Sequence, residues 1–218
     1  MTASLIFLGA LLVLPAIYLR DSAAEKRRRG DWFAPALSLF SSYRVTQQGK
    51  NWPVLTGRYC GRDVRLEPVL DDLTWRKLPS LWLKVTLLAP NPERGTLGFL
   101  VRPRGGEFYS PTADMASRLP IPAHWPSDAI LRSDDRKEAP QLDLTAFADP
   151  RLKELVVSPA GVRLVYQAQQ GERASYLVLR QASFAEPHVE LAPVKALLDQ
   201  VIALTAELDG QTALAVAA

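Results

Sequence analysis

The sequence predicts an α+β fold: an N-terminal transmembrane helix, then a mostly antiparallel sheet domain with a C-terminal amphipathic helix packed on it. Three observations carry this expectation. Ser4 to Leu19 is an uncharged apolar run, followed at once by the basic stretch Arg20 to Arg29. The middle of the chain alternates short apolar segments with Gly, Pro and Asp turns, the pattern of hairpins. Near the end, Val194, Leu197, Leu198, Val201, Leu204 and Leu208 recur at helical spacing.

The N-terminal run counts 17 residues from Ala3 to Leu19, the lower edge of what crosses about 30 Å of hydrocarbon. The flanking cations lie C-terminal to it, which by the positive-inside tendency places the large domain in the cytoplasm. A cleaved signal peptide would carry its positive charge ahead of the apolar run, and Met1 to Ser4 carries none. The expected organisation is therefore a transmembrane anchor over 1–19, a basic juxtamembrane linker over 20–30, an α+β domain over 31–210 and a frayed tail over 211–218. Arg20, Lys26, Arg27, Arg28 and Arg29, with Trp32 beside them, are candidate contacts to anionic headgroups.

Within the domain, Asp31 is placed to cap a short helix through Phe40. Val54–Tyr59 and Val64–Val69 flank Cys60-Gly61-Arg62-Asp63 and read as a hairpin. Leu81 to Leu88 is the most apolar strand and is expected to be central, with Thr96–Arg102 as its antiparallel partner. Residues 111–126 hold four prolines and are a candidate break between subdomains. Ala129–Arg132 is a strand. Asp149-Pro150 resembles a helix N-cap with proline at the first position. Val156-Val157 and Val162–Gln167 are strands around the Pro159-Ala160-Gly161 turn, and Tyr176–Arg180 is expected to pair back on the second. Pro193 opens the last helix and Gly210 ends it.

Composition narrows the function classes. Residues 20–29 carry five cations and two anions, and that excess equals the formal net charge of +3 for the whole chain. The remaining domain is balanced, so no nucleic-acid partner is expected. One cysteine, Cys60, excludes an intrachain disulfide. Two histidines, His124 and His188, exclude His-rich zinc sites. The aspartate pairs Asp71-Asp72 and Asp134-Asp135 lack the alternating ligands of a calcium loop. Arg102-Pro103-Arg104-Gly105-Gly106 places cations beside flexible backbone that can approach a phosphate, without the spacing of a phosphate loop. Trp75, Arg76, Lys77 and Trp82 are further headgroup-facing candidates. No catalytic, metal or cofactor residue emerges. The reading is a single-pass, membrane-anchored protein whose cytoplasmic domain is a non-enzymatic binding or scaffold module for a partner protein or the membrane surface. The competing class is a tethered enzyme whose site is assembled from scattered Arg, Asp and Glu.

Overall fold

The computed structural model describes residues 2–72, 78–179 and 182–216. Nine strands form one antiparallel sheet: β1 (Ser42–Thr46), β2 (Val54–Tyr59), β3 (Arg62–Asp71), β4 (Ser80–Leu88), β5 (Leu97–Val101), β6 (Ser117–Arg118), β7 (Ala129–Ser133), β8 (Leu152–Ser158) and β9 (Gly161–Gln170). Their order across the sheet is β1-β2-β3-β4-β9-β8-β5-β7-β6. Three helices join them: α1 (Thr2–Gly30), α2 (Arg173–Leu179) and α3 (Leu191–Val216).

Period-two alternation decides the faces. In β4, Leu81, Leu83, Val85 and Leu87 are buried, while Trp82, Lys84 and Thr86 between them are half-buried. The buried set meets Val194, Leu198, Val201 and Leu204 of α3, which lies across β4 and β9. Each such side chain contributes about 1.5–3 kcal/mol by leaving water. Among the described residues no α-helix packs extensively on the opposite face over β1–β4 and β9. Over β5, β7 and β8 it is roofed by the irregular segment 109–115.

The two ends of the core are tied by polar contacts. Arg94, almost fully buried, donates to Asp209 of α3 at 2.8 Å and to the Ala89 carbonyl at 2.6 Å. Tyr59 donates to Asp199 of α3 at 2.6 Å. Trp32 sits at the centre of an aromatic cluster, 4.9 Å from Phe33 and 5.4 Å from Trp52 between ring centroids.

Several expectations are corrected. Among the described residues no helix is long and apolar enough to cross a membrane, so the N-terminal transmembrane helix and the membrane-spanning class are withdrawn. The helix does not stop where the apolar run stops. It continues through the charged residues to Gly30, and its charged end docks on the domain. Gln47 donates to the Lys26 carbonyl at 2.9 Å, and Arg29 donates to the Lys50 carbonyl at 2.9 Å. Asp31 caps no α-helix; a 3-10 helix follows at Ala34–Leu39. The partners of β4 are β3 and β9, not β5, which lies between β8 and β7. Asp149-Pro150 opens a turn, with Asp149 accepting from the Arg151 amide at 2.8 Å, and β8 follows. Residues 173–179 are helical instead of extended. Gly210 does not end α3, which runs on to Val216. Trp75, Arg76 and Lys77 lie outside the described residues, as does Arg180 of the expected last strand.

Candidate functional site

The helix-free face holds a cavity of about 390 Å³ at the end where β3, β4 and β9 meet the loop after β5. Its walls come from five stretches of the chain, the first being Asp71 at the end of β3. β4 supplies Ser80 and Trp82, β9 supplies Gln167 and Gln170, β8 supplies Lys153, and the 102–109 loop supplies Arg102, Arg104, Gly105, Gly106, Glu107 and Tyr109.

Local sequence builds that loop. Arg102 takes a left-handed backbone (φ 49°), as do Gly105 (72°) and Gly106 (86°). The conformation is costly for arginine, on the order of 1–2 kcal/mol. Its guanidinium offsets this by donating to the carbonyls of Phe147, Asp149, Pro150 and Leu152. The two glycines then turn the chain so that Glu107 accepts from the Arg104 amide at 2.8 Å.

Lys153 reaches this loop because the register shifts between Leu152 and Glu154. Its ammonium donates to the Arg102 carbonyl and lies 3.3 Å from Glu107. Its side chain is 8% exposed. Burial lowers its pKa, with Glu107 opposing the shift. An ammonium has three donors, so two of them are used and one remains. The Glu107 carboxyl is held below its usual range: burial pushes it up, and the Arg104 amide and Lys153 outweigh that. The Arg104 guanidinium makes no hydrogen bond or ion pair among the described residues.

Trp82 and Tyr109 form an aromatic wall, their ring centroids 4.9 Å apart. Trp82 Nε1–H and Tyr109 O–H are buried and meet no acceptor among the described residues. Each unmade hydrogen bond costs about 1–3 kcal/mol. Burial, then Glu107, Glu154 and Asp71, push the Tyr109 phenol well above its ordinary value.

Beside the cavity, under the roof segment, Glu154 is fully buried. It accepts from Ser110 Oγ and, at 2.6 Å, from Thr112 Oγ1 on one oxygen, while its other oxygen has no partner. Burial raises its pKa, against the two hydroxyls and against Arg163 and Lys84.

Further along the same face the register sets a row of cross-strand neighbours: Arg44, Thr56, Arg65, Thr86 and Arg163, on β1, β2, β3, β4 and β9. The row continues through Val156 and Gly98 to Arg132 and Arg118. There Arg132 is spent on the Ala113 and Met115 carbonyls of the roof.

The basic candidates after the apolar run divide. Arg20 pairs with Asp21, Arg28 and Arg29 pair with Glu25, and Arg29 also stacks over Trp52 at 5.4 Å. Lys26 and Arg27 make no side-chain hydrogen bond or ion pair among the described residues. Trp32 is fully buried, so its ring faces the core and not the surface. Asp134 and Asp135 accept from the Ala116 and Thr96 amides and hold a turn. Cys60 is exposed in the β2–β3 turn, and neither histidine lines the cavity. Of the sequence candidates, Arg102 to Gly106, Asp71 and Trp82 come together at the cavity. Lys153, Glu154, Glu107 and Tyr109 went unnoticed. The available signal was the charged pair Lys153-Glu154 inside the otherwise apolar run Leu152–Val157.

Comparison with known proteins adds no identity: no family model matches the chain, and no similar curated protein or solved structure matches it.

Proposed function

We propose that the domain is a non-enzymatic binding module whose cavity takes a small ligand bearing an anionic oxygen group, a carboxylate or a phosphate. The observation that carries this reading is the inward Lys153 ammonium with one donor unspent, beside Arg104 and the Gly105-Gly106 turn. Charge-assisted hydrogen bonds from ammonium and guanidinium to an oxyanion are the strongest such a wall can offer. The Trp82–Tyr109 wall supports a ligand with a flat apolar portion next to its charged end. Binding is favoured over catalysis because Glu107 and Arg102, the acid and the arginine nearest Lys153, are already committed to structure. Glu107 holds Lys153 and the Arg104 amide, Arg102 holds four carbonyls, and Ser80 accepts from Gln167 at 2.8 Å.

Titration with benzoate and with inorganic phosphate tests the reading, followed by calorimetry and by quenching of the Trp82 component, with Trp82→Phe as the reference. Lys153→Met is expected to weaken binding of whichever probe binds by about tenfold or more. Unchanged affinity in Lys153→Met, or no binding of either probe at millimolar concentration, overturns it.

A further inference from the structure

The row of Arg44, Arg65 and Arg163 is separate from the cavity and goes beyond the reading above. The three arginines lie on alternate strands with Thr56 and Thr86 between them. Neighbouring strands are about 4.8 Å apart, so successive arginines stand about 10 Å apart. An open trough of about 740 Å³ runs along the β1–β3 part of the row, and Arg29, Arg44, Trp52, Thr56, Arg65 and Glu67 line it. The Arg44 guanidinium makes no hydrogen bond or ion pair among the described residues. Among the same residues the Arg163 guanidinium donates only to Thr86 Oγ1, at 3.3 Å. Arg65 pairs with Glu67 at 3.1 Å, but both are exposed, and such a pair is worth under about 1 kcal/mol. A partner carboxylate can replace it. Lys84 is half-buried beside this row; burial and then Arg163 lower its pKa, and Glu67 and Glu154 oppose the shift.

We infer that this arginine row docks an acidic polypeptide segment in the polyproline II conformation, with a carboxylate at every third residue. That helix has three residues per turn and a rise of about 3.1 Å, which brings every third side chain to the same side at about 9 Å intervals. The interval matches the arginine spacing across the sheet. A β-strand does not match, because residues three apart point to opposite sides. A nucleic acid is disfavoured because residues 30–218 are charge-balanced and give no broad attractive field. The preformed helix also loses little chain entropy on docking.

Fluorescence anisotropy with the full chain tests this. The probe is a labelled (Glu-Pro-Pro)₄ dodecamer, and its composition isomer with four consecutive glutamates is the control. The spaced peptide is expected to bind at least several-fold more tightly than the clustered one. Arg44→Ala and Arg163→Ala are each expected to weaken it by about fivefold, with unchanged melting temperature for Arg44→Ala. Lys153→Met, which probes the cavity, should leave this affinity unchanged, so the two proposals fail separately. Equal binding of both isomers, no binding, or insensitivity to Arg44→Ala overturns the inference. Tighter binding of a single-stranded DNA dodecamer or of phosphatidylglycerol vesicles, with loss in the same variants, also overturns it by assigning the row to another class of partner.

Discussion

At the scale of single residues, Glu154 is the most consequential group on the helix-free face. It keeps a carboxyl inside the protein with hydroxyl donors on one oxygen only. Lys84 and Arg163 are the cations that bear on it. Because its folded pKa is raised, its contribution to stability is fully present below the ordinary carboxylate range. That contribution is lost as pH rises through the folded value. Glu154→Gln keeps an acceptor for Ser110 and Thr112 and removes the charge. The variant is expected to exceed the parent by about 1 kcal/mol at pH 7, and the gap should close as pH falls toward 4. Urea midpoints at pH 4, 5.5 and 7 check this. A parent more stable at pH 7 would mean that Lys84 and Arg163 hold the carboxylate charged. Little of this was legible in the sequence. A buried acid in a strand is visible as Lys153-Glu154 amid aliphatics, but its hydroxyl partners lie more than forty residues earlier. The cavity is likewise assembled from five separate stretches, and spacing within any one of them says nothing of the others.

At the scale of elements, the roof segment depends on a missing side chain. A Cβ at Gly98 would lie 2.3 Å from Thr112 Oγ1 and 2.9 Å from its Cβ. Gly98→Ala should therefore push the roof off β5 and cost about 1–3 kcal/mol. In a Thr112→Ala background the clashes with Oγ1 and Cγ2 are gone while the 2.9 Å contact with Cβ stays, so part of that cost should vanish, a coupling that a double-mutant cycle of urea midpoints measures. Undiminished cost in that background would place the strain elsewhere. Elements with local causes were readable. The β2–β3 hairpin follows from alternation around Gly61, the central place of β4 from its apolar run, and the α3 stripe from its spacing. Those decided by distant packing were misread. Leu152 to Val157 is too short and apolar to distinguish helix from strand by pattern. Adjacency in sequence pairs β4 with β5, whereas in the sheet β4 lies between β3 and β9, Leu83 standing between Pro68 and Tyr166. Gly210 lies inside α3, and a Cβ added there would meet nothing within 4 Å.

At the scale of the whole molecule, one sheet crosses the proline-rich stretch 111–126. β4 pairs with β9, and β5 pairs with β8, which joins β9. Both sides of the stretch therefore share the layer that α3 covers. Equilibrium unfolding is expected to be a single transition, coincident by tryptophan fluorescence and far-UV circular dichroism. Separated midpoints would show two independently folding halves.

The two borders of the sheet differ. One is β6, only two residues long, and the other is β1, five residues long with Ser42, Tyr43, Arg44 and Thr46 exposed. Only the β1 border is long enough to template a strand from another chain. Native sheets guard such borders with charge, because a cation in mid-strand resists edge-to-edge stacking. Arg44 stands at the middle of β1. The first rung of the arginine row is thus also a gatekeeper against polymerisation, and an aliphatic residue in its place would open a route to fibrous self-association.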